Sequence, residues 1–268
     1  MFKVVSSDGT NIACERHGDA GRTVVLVGGT LMTRARHAPL ASLLAQDFTV
    51  INYDRRGRGD SGDGPVYDVR REIDDLDAVI ARVGGPVSLF GMSSGAVLAL
   101  EAVARGSAVS SLALYEPPFV VDGTRPPLPA DYVDRMWEIV GRGEMTEAVT
   151  YFLTAGLGLP GEAVAGIRDT PVWAAWEATA PTLPYDGRLM GDTMSGRPLP
   201  VDRWSAVRVP VLVGHGGAGE AYMVNAAKEL ASLGDNYTLH SFPGQDHKID
   251  PHALAPVLTS FFTTGRPA

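Results

Sequence analysis

Apolar residues recur along this chain in two alternating rhythms. Phe2 to Val5 and Asn11 to Glu15 read as paired strands joined at the Asp8-Gly9 turn. Val24-Val25-Leu26-Val27 is an unbroken apolar run between turn residues, as a strand buried on both faces requires. A helix over Ala38 to Leu44 and a strand over Phe48 to Tyr53 follow. From Asp68 to Val83 the period changes: Val69, Ile73, Leu76, Ile80 and Val83 recur at helical spacing, and Gly84-Gly85 stops the run. Val87 to Met92 then reads as a strand, the stretch up to Arg105 as a helix, and Leu112 to Tyr115 as another strand. Strands alternating with helices through short links predict an α/β fold, a mostly parallel sheet covered by helices on both faces.

The alternation breaks between Pro118 and Ala206, a proline-rich stretch with helical segments and no convincing strand. All four tryptophans, Trp137, Trp173, Trp176 and Trp204, lie in it. An excursion this long between sheet strands is expected to be a lid or binding element with a small core of its own. The rhythm resumes with a strand at Val209 to Val213, a helix from Ala221 to Leu233, a strand from Tyr237 to Phe242 and a closing helix from Pro251 to Phe262. The expected organisation is a core of residues 1–117 and 207–268, with residues 118–206 as a helical cap.

Composition narrows the function classes. A chain of 268 residues with 45% hydrophobic positions can bury a sizeable core. A net charge of −8 argues against nucleic acid or an anionic membrane as partner, which leaves a small-molecule substrate. The N-terminus has no basic region followed by an apolar run, and no apolar stretch is long enough to span a bilayer. The expected location is cytoplasmic. The single cysteine, Cys14, follows Ile12 and Ala13 and reads as a small buried residue.

Candidate chemistry centres on Gly91-Met92-Ser93-Ser94-Gly95, where two glycines flank Ser93 between a strand and a helix. This G-x-S-x-G pattern marks a turn so sharp that side chains at the glycine positions would collide with the adjoining elements. The serine is held in strained backbone with its hydroxyl pushed outward, the arrangement of an exposed nucleophile. The loop Asp54 to Gly62 holds Arg55, Arg56 and Arg58, but its glycines match neither a P-loop nor a dinucleotide fingerprint, so it reads as a structural turn. No metal-ligand spacing and no nicotinamide- or flavin-binding turn is seen, so no cofactor is expected.

With the serine turn, the Asp54 to Ser61 loop, the mid-chain helical insertion and the late His247 in this order, the chain resembles the α/β-hydrolase superfamily over essentially its whole length. Gly28-Gly29-Thr30 stands where many members have His-Gly. The resemblance implies that Ser93 is a nucleophile and that His247, in the loop after the last strand, is its base. The other histidines, His17, His37, His215, His240 and His252, read as strand, loop or surface residues. Members usually place an aspartate after the strand at Val209 to Val213, yet the loop here is Gly214-His215-Gly216-Gly217-Ala218-Gly219-Glu220. Some members supply the acid from the end of the strand after the nucleophile helix, and Glu116 occupies that place. Glu220 is the alternative acid. The resemblance also implies an oxyanion hole formed by the backbone N–H groups of Ser94 and Thr30.

These readings combine into a serine hydrolase cleaving a carboxylic ester, lactone or thioester of a mainly apolar small molecule through an acyl-enzyme. Its expected pocket residues are Leu31, Met92, Trp137, Trp173 and Trp176. A serine rather than an aspartate at the turn counts against haloalkane dehalogenase or epoxide hydrolase chemistry. Two alternatives remain open: a non-hydrolytic enzyme of the same fold (acyl transfer, lyase or cyclisation), and a catalytically silent small-molecule binding protein.

Overall fold

A computed structural model describes residues 1–267. Its strands are β1 (Phe2–Val5), β2 (Asn11–His17), β3 (Thr23–Val27), β4 (Thr49–Tyr53), β5 (Val87–Met92), β6 (Val109–Tyr115), β7 (Val211–Gly216) and β8 (Tyr237–Phe242). They form one sheet in the order β1-β2-β4-β3-β5-β6-β7-β8. The β1/β2 and β2/β4 pairs are antiparallel and all others parallel. Around the sheet lie α1 (Ala38–Leu44), α2 (Val69–Arg82), α3 (Ser94–Ala104), α9 (Ala221–Ala231) and α10 (Pro251–Thr264). Between β6 and β7 run α4 (Tyr132–Gly141), α5 (Met145–Tyr151), α6 (Gly161–Ile167), α7 (Pro171–Thr179) and α8 (Leu183–Met190).

The period-two alternation of side chains divides the core. Val25 and Val27 of β3 pack with α2, α3 and α9 on one face of the sheet. Val24 and Leu26 pack with α1 and α10 on the other. Both faces being covered explains why β3 is apolar from Val24 to Val27. The helix α3 is buried from Ser94 to Val103, which explains its small and aliphatic composition; burying one large aliphatic side chain there contributes about 1.5–3 kcal/mol. A separate cluster, including Tyr132, Met136, Ile139, Val149, Trp173 and Leu183, gives the helices between β6 and β7 a core of their own.

Several element ends differ by one to three residues from the sequence pattern, two of them for identifiable reasons. Asp68 is the N-cap of α2 rather than its first residue, its carboxylate accepting the Arg70 N–H at 2.7 Å. The strand β7 begins at Val211, not Val209, because Pro210 has no N–H to offer the ladder. Val211 makes the first strand-edge bond, donating to the Asn236 carbonyl at 2.8 Å. Cys14 is buried, and burial pushes its thiol up to about 12.

Candidate active site

The turn between β5 and α3 places Ser93 at the C-terminal edge of the sheet. Ser93 has φ 56° and ψ −128°, a conformation that costs a non-glycine residue about 1–3 kcal/mol. Its N–H donates to the Tyr115 carbonyl at 2.9 Å, tying the turn to the end of β6. A Cβ at Gly91 would stand 2.5 Å from the Gly95 carbonyl oxygen, and one at Gly95 would stand 2.4 Å from that of Val27. Both glycines are therefore demanded by close backbone approach. Among the described residues, no hydrogen bond joins the Ser93 hydroxyl to another protein group, His247 included. Catalytic hydrogen bonds are commonly long in unliganded enzymes and tighten around substrate.

Glu116 and His247 are brought together from opposite sides of β7. Glu116 follows β6 directly, is fully buried and has φ 46°. Its Oε1 accepts the Gly216 N–H at 2.8 Å, and its Oε2 lies 2.7 Å from His247 Nδ1. A carboxylate accepting from Nδ1–H keeps the proton on that nitrogen and leaves Nε2 as a proton acceptor. Glu220, the alternative acid, is the exposed N-cap of α9, and among the described residues it makes no hydrogen bond to His247.

The glycines after β7 explain how the carboxylate reaches across. Gly217 N–H donates to the Phe242 carbonyl at 2.8 Å, and Ala218 N–H to the Gln245 carbonyl at 2.9 Å, so the loop carrying His247 lies directly on this segment. A Cβ at Gly216 would meet the Gln245 carbonyl oxygen at 2.3 Å, and one at Gly219 would come within 3.0 Å of Glu116 Oε1. Tyr115 completes the support, donating its phenol to the Asp246 carbonyl at 2.6 Å. The space beside Gly216 and Gly219 is occupied by Glu116 and the histidine loop.

Thr30 and Ser94 face one another across the turns after β3 and β5. Thr30 Oγ1 donates to Ser94 Oγ at 3.1 Å, and Ser94 Oγ donates to Asp186 Oδ1 of α8 at 2.8 Å. The Ser94 N–H begins α3, where backbone donors have no partner inside the helix and the helix dipole favours negative charge. Of the pocket residues read from sequence, Leu31 has φ 57° and packs against the insertion's cluster. Met92 lies in the core on the α1/α10 side. Trp173 is buried in the insertion's core with its indole N–H on Glu177 at 2.8 Å, and Trp176 lies 6.2 Å from it. Trp137 is 5.6 Å from the Tyr185 ring.

The arginines after β4 are buried and paired with carboxylates. Arg55 binds both oxygens of Glu72 at 2.6 and 2.7 Å and Asp186 Oδ1 at 2.9 Å. Arg56 holds Asp75 through two bonds of 2.7 Å. Arg58 reaches Asp186 Oδ2 at 2.8 Å and the Gly29 carbonyl at 2.6 Å. Burial works against ionising Asp186, yet Arg58 and Arg55 hold its carboxyl below the ordinary carboxylate range. The network joins the β3 turn, Ser94 and α8 in one rigid unit. Breaking a buried pair costs about 3–5 kcal/mol, because the remaining charge stays behind unpaired. Asp186→Asn is therefore expected to lower the unfolding free energy by about that much, read as a fall in the urea midpoint at unchanged slope.

The comparisons with known proteins agree with this architecture. A sequence profile described as "Alpha/beta hydrolase family" matches residues 24–258. The chain belongs to the alpha/beta hydrolase family. A solved alpha/beta hydrolase from Sphaerobacter thermophilus is 50% identical with a TM-score of 0.91, covering 97% of this chain and 100% of its own. Curated relatives match over shorter stretches, and the chain spans less than half the length of each of the two that follow. N-formylmaleamate deformylase of Pseudomonas putida is 32% identical over 125 residues, 45% of this chain and 47% of that protein. A Mycobacterium tuberculosis protein named "Probable oxidoreductase EphD" is 35% identical over 122 residues, 43% of this chain and 21% of its own length.

Proposed function

We propose that the protein is a serine hydrolase that cleaves a carboxylic ester, lactone or thioester through an acyl-enzyme. Membership of the alpha/beta hydrolase family supports hydrolase activity in general. The observation that carries the finer reading is the 2.7 Å hydrogen bond between His247 and the fully buried Glu116, at the same sheet edge as the strained Ser93 turn. In this reading His247 Nε2 takes the Ser93 proton as Oγ attacks the substrate carbonyl. Glu116 orients the ring and stabilises the imidazolium. The N–H groups of Ser94 and Thr30 receive the developing oxyanion. His247 then passes its proton to the departing alcohol or thiol, and water, activated by the same ring, hydrolyses the acyl-serine.

The helices between β6 and β7 act as the cap in this reading, and residues 118–206 form it over a core of 1–117 and 207–268. Leu31, Trp137 and Trp176 supply apolar surface and Trp173 shapes the cap from its core, for a mainly apolar acyl or alcohol portion, while Met92 lies in the sheet core on the α1/α10 side. Pre-steady-state hydrolysis of p-nitrophenyl esters tests the mechanism. An acyl-enzyme predicts a burst of p-nitrophenol approaching one equivalent of enzyme where deacylation is slower, and an acyl mass increment on the peptide carrying Ser93. Turnover with no increment on that peptide would count against it.

A further inference from the structure

Arg125 differs from the other buried arginines. It is 9% exposed, yet among the described residues no carboxylate pairs with it, whereas Arg55, Arg56 and Arg58 each hold at least one. Its Nη2 donates to the Gly156 carbonyl, and its guanidinium carbon lies 4.7 Å from the centre of the Tyr222 ring. Its Nη1 is buried without any acceptor. A buried cation lacking an anion is costly, and neither a carbonyl nor a ring face replaces the missing charge. The planar guanidinium fork is suited to a carboxylate.

Its position ties this free donor to the candidate active site. Arg125 stands nine positions beyond Glu116. Its segment is pinned over α9 by Asn225 donating to Asp122 at 2.7 Å. Tyr222 is the second residue of α9, which follows the short loop after β7, whose last residue, Gly216, holds Glu116 through its N–H. Gly156 lies against Tyr132 of α4, since a Cβ there would meet the Tyr132 hydroxyl at 2.9 Å. Burial pushes Tyr222 up to about 12, against the opposing pull of the Arg125 charge and of a side-chain hydrogen bond with Arg125, while the charges of Glu220 and Glu116 add to the rise. The guanidinium thus stands between Gly156 of the insertion and Tyr222 at the start of α9, the helix that follows the segment holding Glu116.

Resting on the serine-hydrolase reading, we infer that Arg125 is the subsite for a carboxylate carried by the substrate, so that the enzyme acts on anionic esters, lactones or thioesters with a mainly apolar body. A chain of net charge −8 repels such a substrate at long range, so a local buried cation is needed to retain it.

The test compares two p-nitrophenyl esters of equal acyl length, the glutarate monoester with its free carboxylate and the neutral pentanoate. The wild type is expected to give the higher kcat/KM with the monoester. Arg125→Met is expected to lower the monoester-to-pentanoate ratio roughly ten- to hundredfold, mainly through KM. Arg125→Lys, which keeps the charge but loses the fork, is expected to fall between. A wild-type preference for pentanoate, or a ratio unmoved by Arg125→Met, overturns the inference. Should the wild type hydrolyse neither ester, the serine-hydrolase reading fails separately. Calorimetry with glutarate then decides the subsite: saturable binding lost in Arg125→Met supports it, and no binding to the wild type overturns it. Should Arg125→Met fail to fold, the wild-type preference and the Arg125→Lys ratio carry the test, and a ratio unmoved by Arg125→Lys overturns the inference.

Discussion

Replacing Ser93 with alanine is expected to lower kcat/KM for p-nitrophenyl esters by roughly 10⁴- to 10⁶-fold while leaving the protein folded. The size follows from losing the nucleophile altogether, with only the oxyanion donors and substrate binding left to accelerate attack by water. Folding should survive because alanine keeps the Cβ and meets the same backbone conformation that Ser93 already adopts at φ 56°. Among the described residues, the Ser93 hydroxyl makes no hydrogen bond that the substitution would remove. Steady-state kinetics with a thermal melt checks both halves. Substantial residual turnover by a well-folded variant would move the chemistry to another group.

Glu116→Gln is expected to cost about 10⁴ in kcat, by analogy with loss of the acid's charge in serine proteases. Glutamine nearly matches the shape, and its amide oxygen can still accept the Gly216 N–H. Its NH2 group then faces His247 Nδ1 as a donor, which places the ring proton on Nε2, where it cannot take one from Ser93. The imidazolium also loses its buried counter-charge. Glu220→Gln changes only an exposed N-cap of α9 and is expected to stay within about twofold of wild type. Parallel kcat measurements on the two variants separate the two acids, and a collapse in Glu220→Gln with Glu116→Gln unaffected would reverse their roles.

Much of this arrangement is legible before any coordinates. The apolar run at Val24–Val27, the helical spacing of Ile73, Leu76 and Ile80, and the glycines two residues either side of Ser93 are local patterns, each dictated by one element's own geometry. The carboxylate that meets His247 is harder to read, because the two are 131 residues apart and meet only through sheet order. The local signal is the run of small residues at the end of β7 and beyond, Gly216 to Gly219, which leaves space for a carboxylate from the end of β6.

The buried ion network could not be read this way. Arg55 and Asp186 are 131 positions apart, and neither spacing nor composition links them. The sequence reading of Ser94 used its N–H alone, whereas its hydroxyl bonds Asp186 as well. Trp173 illustrates the converse: an aromatic in an insertion reads equally as pocket wall or as core, and only packing reveals that it lies in the insertion's own cluster. Arg125, in a proline-rich stretch without periodicity, gave no signal at all.

The most direct measurement is the rate at which a fluorophosphonate labels the protein, followed by intact mass and peptide mapping in wild type and Glu116→Gln. One adduct on Ser93, formed at least about 10³-fold more slowly in the variant, is the predicted result for a hydroxyl activated by His247 under the control of Glu116. An adduct on another residue, or equal labelling rates in the two proteins, would contradict it.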